Sequence, residues 1–348
     1  MIISTWPTTL ILISYVCYAL GYRPLGVHSL NKLRALSVPD RLNITGSLLS
    51  PLLVPRVSGT PGNTRVREFI VNHFQQLGWH VELDSFVDYT PMGPTKFTNI
   101  IVTKNPNSDH HLVMGAHFDS KYYPDFEFIG ATDSAVPCAI LMDVATTMND
   151  LLDQQPPKQK SLQLIFFDGE EAVREWSSTD SIYGARHLAD TWENTVFDSS
   201  QQIRRGNRLD QIELLVLLDL LGTPNPSINN YYRDTNRLFY RLLSLEKRLL
   251  ANSLLATVAE DGTELRPVFN PKSSMTFRGE MIGDDHTPFL QRGVEVLHII
   301  PFPFPSVWHN PGDMSECIDP NVVLNFAVIF RAFVAEYLEI DPLVHTEL

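Results

Sequence analysis

Apolar positions along this chain follow two spacings, and the switches between them predict its elements. From Leu162 the sequence reads LQLIFFDGEE: five of the first six residues are apolar, and Asp168, Gly169, Glu170 and Glu171 follow at once. A near-continuous apolar run of that length, ended by Gly, predicts a strand buried on both faces of a parallel sheet. Further strands are predicted at His80–Val87, Thr98–Thr103, Leu112–Phe118, Ile212–Leu221 and Val294–Ile300. Between them the spacing turns helical. One helix is expected to be capped by Asn63, to carry Val66, Phe69, Ile70 and Phe74 on one face, and to end near Gly78. Others are expected over Ser134–Leu152, Ser181–Trp192, Asn236–Leu254 and Val322–Ile340. Residues 24–61, Phe197–Asp210 and Ala259–Met281 keep no clean period and predict irregular chain. Strands alternating with helices, without a repeat or a low-complexity stretch, point to one α/β domain over residues 23–348.

Composition narrows the function classes. The 348 residues are 44% hydrophobic and 19% charged, as in a globular protein with a large core. A net charge of −13 offers no basic stripe for phosphates and excludes a nucleic-acid partner. Residues 1–22 carry no charged side chain, and Leu10–Leu20 forms an apolar core with Cys17-Tyr18-Ala19 as a small-x-small cleavage pattern. This predicts a signal peptide and secretion. An uncleaved anchor in the Golgi membrane is the second reading and a mitochondrial leader the third. Membrane contact is expected only if the segment is retained, and the chain is expected to be a monomer. Asn43-Ile44-Thr45 is a usable glycosylation sequon. Past the leader only Cys138 and Cys317 remain, too few for a disulfide scaffold or a thiolate zinc site. Two buried free thiols are expected, with a bridge between them left open.

Acids and histidines gather at the predicted strand ends. One strand closes in His117-Phe118-Asp119, and its loop runs to Gly130-Ala131-Thr132-Asp133. The Leu162 strand closes in Glu170-Glu171, the Ile212 strand carries Asp219, and the last strand leads through PFPFPSVW to His309. Gly283-Asp284-Asp285-His286 precedes that last strand. Any one of these alone is an ordinary capped or hydrogen-bonded residue. Together they bring Asp, Glu and His from separate strand ends to one sheet edge, where open α/β sheets place their ligands. Three such ligands with an open fourth position make a catalytic zinc site, and so many carboxylates are costly to hold without a cation.

In this order the motifs HxD, GATDSA, FDGEE, LLDLLG and VWH resemble the co-catalytic zinc aminopeptidase clan, whose sheet is mixed and mostly parallel. Within it the chain is similar to the animal glutaminyl cyclases. The likeness rests on HFDSKYY, IGATDSAVPCAILM, LQLIFFDGEEA followed by Trp176, LLVLLDLLGTPNP and DDHTPFLQRGVEVLHIIPFPFPSVWH, and spans Leu48 to the C terminus. It implies a zinc-dependent acyltransferase that converts the N-terminal glutamine of peptides and proteins to pyroglutamate and releases ammonia, with N-terminal glutamate an open question. It further implies one zinc on Asp133, Glu171 and His309, a second ion being left open. Glu170 would be the general acid/base, and Asp219 and Asp284 a hydrogen-bonded acid pair beside it. Trp176, His298 and Trp308 would shape the substrate pocket with Asp284. The rival reading is a di-zinc aminopeptidase, with His117 and Asp219 joining the same three ligands. A catalytically dead homologue that binds peptides is the non-enzyme reading. Secreted members of the family often carry a disulfide between the HxD strand and the following helix. Here Cys138 stands at one position and Ala116 at the other, so that bridge is not expected.

Overall fold

The structure, a computed structural model, describes residues 23–155, 160–197, 206–271 and 282–344. The expected signal segment therefore lies outside the described residues. The strands are β1 (His80–Thr90), β2 (Gly93–Thr103), β3 (His111–His117), β4 (Ser161–Phe167), β5 (Val196–Phe197), β6 (Gly206–Asn207), β7 (Ile212–Leu218) and β8 (Val296–Ile299). Six of them form one sheet in the order β1-β2-β4-β3-β7-β8. β3 pairs parallel with β4 and β7, and β7 with β8; β2 runs antiparallel to both β1 and β4. The sheet is thus mixed and mostly parallel, as expected. β5 and β6 pair as a small ribbon where loop was predicted; two-residue strands leave no period to read.

The apolar run of β4 is explained by two cores. Leu162, Leu164 and Phe166 point into the larger one, and Ile165 and Phe167 into the smaller. β3 and β7 divide the same way, with Met114 and Val216 on the first side and Val113 and Leu215 on the second. A strand covered on both faces has no solvent side on which to place polar residues. The helices are α1 (Val27–Ala35), α2 (Pro61–Gln76), α3 (Val136–Asp153), α4 (Tyr183–Asn194), α5 (Asn236–Ala251), α6 (Thr287–Leu290) and α7 (Pro320–Tyr337). α2, α3, α5 and α7 cover the larger core; α4 and α6 cover the smaller.

Two helix predictions need correction. α1 stands where irregular chain was expected: only Leu30 and Leu33 of its apolar positions are buried, too few to mark a period. It is held from outside, since Arg331 of α7 donates to Leu33 O at 2.8 Å and Leu25 N donates to Glu336 Oε1 at 2.9 Å. Arg331 is fully buried and pairs with Asp143 of α3 at 2.8 Å, so one guanidinium ties three helices. The cap of α2 is Thr60, whose hydroxyl accepts from Asn63 N. Asn63 is buried instead, with a use described below.

Cys138 and Cys317 are both free, Cys138 buried and Cys317 only half-buried, which corrects the expectation of two buried thiols. The Cys138 thiol donates to His117 O at 3.1 Å, and burial pushes it up to about 12, so it stays protonated and inert. Cys138→Ala is expected to cost about 1 kcal/mol of stability and to leave turnover nearly intact. A large loss of activity in the folded variant would contradict this.

Because β3, β4, β7 and β8 are parallel, their carboxyl ends share one edge. The chain leaves β3 for β4 on one side and later returns to place β7 on the other. Such a reversal opens a crevice at the strand ends.

Candidate active site

Each strand end delivers its side chain from a braced backbone. After β4, Asp168 turns inward and accepts from Ser58 Oγ at 2.6 Å, Asn63 Nδ2 at 2.9 Å and Thr98 N at 2.7 Å. Gly169 follows with φ +75°, and a Cβ there would collide with the Phe97 ring, so only glycine fits. The next two residues hang on one acid: Asp119 accepts from Glu170 N at 3.1 Å through Oδ1 and from Glu171 N at 3.2 Å through Oδ2. Asp119 had been visible in the HFD motif without a role. Asp133 leaves helical space at φ −117°, ψ 75°, just ahead of α3. The buried Arg56, unremarked in the sequence, donates to the carbonyls of Gly130, Ile129 and Asp133 and holds that segment.

Asp133, Glu171 and His309 meet at one point, their ligand atoms all within 4.8 Å. His309 Nε2 lies 3.4 Å from Asp133 Oδ2 and 3.4 Å from Glu171 Oε1. Ligands at 2.0–2.2 Å in a tetrahedron around zinc stand about 3.4 Å apart, so these spacings fit one ion. Glu171 Oε1 is buried without a hydrogen-bond partner, while Oε2 is held by Lys121 Nζ at 3.2 Å. One oxygen is therefore tied back and the other left facing the imidazole. Burial would lower His309, but its bonds to Asp133 and Glu171 prevail and raise it to about 9. Burial would likewise raise Asp133, yet the facing His117 and His309 hold it below the usual carboxylate range. Both shifts express one demand: this acidic set wants a positive charge at its centre. His309 reaches it from a left-handed backbone, φ +57°, a conformation costing about 1 kcal/mol or more and concentrated at functional sites. Tyr123 OH donates to its carbonyl at 3.1 Å, and Trp308 stacks on its ring with centroids 4.1 Å apart.

His117, Asp133 and Asp219 form a second cluster within the same reach, in which His117 is already bonded to Asp133 and stands 3.5 Å from Asp219 Oδ1. His117 Nε2 is 2.9 Å from Asp133 Oδ1, a hydrogen bond rather than a ligand–ligand spacing. Asp219 Oδ1 accepts from Ser134 Oγ and, at 2.8 Å, from Leu220 N. Asp219 therefore sits beside the trio with partners of its own. Asp284 is bound to His298 Nε2 at 2.7 Å and to Asp285 N at 2.6 Å. Burial first, and then the charge of Asp219, hold Asp284 well above the usual carboxylate range. Each acid keeps separate hydrogen-bond partners in place of the expected bonded pair, and Asp284, 2% exposed, lies behind the substrate cavity rather than in its wall. Glu170 is raised well above its usual range too, by burial foremost and by Glu171, Asp284 and Asp285, against the pull of His117.

A cavity of about 450 Å³ opens onto these groups. Asp133, Glu170, Glu171, Asp219 and His309 line it together with Lys121, Arg174, Trp176, Phe304 and Trp308. Trp176 and Trp308, 47% and 40% exposed, stand in its wall. His298 does not: it is 2% exposed, behind Asp284, with its ring 4.2 Å from that of His286. Its place inside the apolar β8 is the signal for that burial. His286 in turn pairs with Tyr232 OH, a partner that no sequence pattern announces.

Residues 99–334 match peptidase family M28. The glutaminyl-peptide cyclotransferase of Drosophila melanogaster is 43% identical over 320 residues, covering 92% of this chain and 87% of that protein. The crystal structure of Macrostomum lignano glutaminyl cyclase superimposes with a TM-score of 0.79 at 39% identity, over 92% of this chain and 96% of that one. A Zn-dependent exopeptidase from Parabacteroides distasonis shares the fold, with a TM-score of 0.62 at 17% identity over 89% of this chain and 98% of its own.

Proposed function

This chain belongs to the glutaminyl cyclases of the M28 family, and from that premise we propose a single zinc held by Asp133, Glu171 and His309, with Glu170 as the proton carrier. The enzyme is an acyltransferase: the α-amine of an N-terminal glutamine attacks its own γ-carboxamide carbon, and ammonia leaves. The 3.4 Å spacings around His309 Nε2, with the orphaned Glu171 Oε1, carry the metal assignment. Zinc, when bound, polarises the γ-carbonyl and stabilises its developing oxyanion by several kcal/mol.

The chain's own residues move the protons. The α-amine, with a pKa of about 8, must be neutral to attack. Glu170 takes its proton as the C–N bond forms and returns it to the departing amide nitrogen, so one carboxyl serves both halves. Burial among other acids raises the affinity of Glu170 for a proton, which suits it to take one from the attacking amine. Asp219, in the cavity wall, orients the amine and the leaving nitrogen. Trp176 and Trp308 wall off water, which would divert the reaction to hydrolysis.

The aminopeptidase reading needs a second ion on His117, Asp133 and Asp219. The hydrogen bond already joining His117 to Asp133, and the separate partners of Asp219, favour one ion, as does the identity with cyclases. A peptide beginning with glutamine tests both. Ammonia with a blocked product amine, at one zinc per chain, is expected; a released free amino acid with two metals would overturn it.

Substrates are peptides or proteins that begin with glutamine. Secretory routing through residues 1–22 and a glycan on Asn43 belong to the same proposal. Asn43 stands on an open turn, its Oδ1 accepting from Thr45 N and Oγ1, both at 3.0 Å, with Ile44 and Thr45 exposed.

A further inference from the structure

The cavity wall holds two cations with different commitments. Lys121 is bound to Glu171 and to the Ala172 carbonyl. Arg174 is exposed, and among the described residues its guanidinium has no hydrogen-bond or ion-pair partner. Its location is nonetheless set. Asp180 accepts from Val173 N at 2.8 Å, Arg174 N at 2.9 Å and Glu175 N at 3.1 Å, and is itself held by Tyr183 OH at 2.8 Å. A backbone nailed at three consecutive amides presents a free cation beside Trp176, above a floor of Asp133, Glu170, Glu171 and Asp219.

We propose that Arg174 selects substrates by the charge of the residues that follow the N-terminal glutamine, favouring peptides with an acidic second or third residue. The proposal rests on the cyclase reading of the floor. The glutamine's amine and amide must reach Glu170 and the ligand trio, so the rest of the peptide leaves through the mouth, past Arg174. A protein of net charge −13 repels acidic peptides in general. An unpaired guanidinium at the mouth reverses that bias locally, pairing with one side-chain carboxylate in the forked geometry that arginine offers.

The test measures kcat/KM on three C-terminally amidated peptides beginning Gln-Ala, Gln-Glu and Gln-Lys, with the wild-type enzyme, Arg174→Met and Arg174→Glu, at low and at high salt. The Gln-Glu to Gln-Lys ratio should fall about two- to five-fold from wild type to Arg174→Met, the worth of an exposed ion pair, and again to Arg174→Glu. The change should lie in KM, and high salt should compress it. Each ratio is internal to one variant, so partial unfolding leaves it unmoved. Cyclisation of Gln-Ala with the same ratio in all three proteins overturns the role of Arg174 and leaves the cyclase reading intact. Failure to cyclise any of the peptides with the metal-loaded wild type overturns both.

Discussion

Glu170→Gln is expected to abolish turnover while the metal stays bound. The amide is isosteric with the carboxyl but cannot accept the proton of the attacking amine, and general acid/base catalysis of this kind is worth about 10²–10⁴-fold. Binding should survive because the two glutamates are anchored through their backbones. Asp119 holds Glu170 N and Glu171 N with separate oxygens, and neither bond involves the substituted group. Glu171 also keeps its bond to Lys121. Cyclisation rate and zinc per chain are the two measurements. A variant that loses its zinc would mean that the roles of the adjacent glutamates are interchanged.

Removing the ion is the second large perturbation. His309→Ala, or exhaustive chelation of the wild type, should eliminate cyclisation and lower the thermal midpoint. The stability change follows from mass action: an ion that binds only the folded chain adds about 2.7 kcal/mol when free zinc is a hundredfold above its dissociation constant. Stripping it also leaves Asp133 and Glu171 facing each other with only the imidazole between. Readded zinc should restore the chelated wild type and fail to restore His309→Ala. Full activity in protein shown to contain a small fraction of an ion per chain would refute the metal role.

Much of this was legible before any coordinates. Strands covered on both faces announce themselves as unbroken apolar runs, which is why β3, β4 and β7 could be placed to within a residue or two at their start. Their parallel ends then fixed where His117, Glu170, Glu171 and Asp219 had to gather. The positions that misled have physical reasons. Asn63 looks like a cap by type and spacing, but Thr60 does that work, and Asn63 is drawn inward by Asp168, a partner 105 residues away. α1 is stabilised by Arg331 and Glu336, some 300 residues distant, and no local period encodes that. Asp119 and Arg56 grip backbone amides and carbonyls rather than substrate. Residues of that kind leave no motif, because what they bind is the same at every position of every chain.

Trp308 and His309 are neighbours in sequence and lie face to face. The proposed panel for an incoming peptide and the imidazole proposed to complete the metal cage are thus one mechanical unit. A bulky group that tilts the indole will tilt the imidazole with it, so crowding in the substrate should register in the spectrum of a cobalt-substituted enzyme before any bond is made.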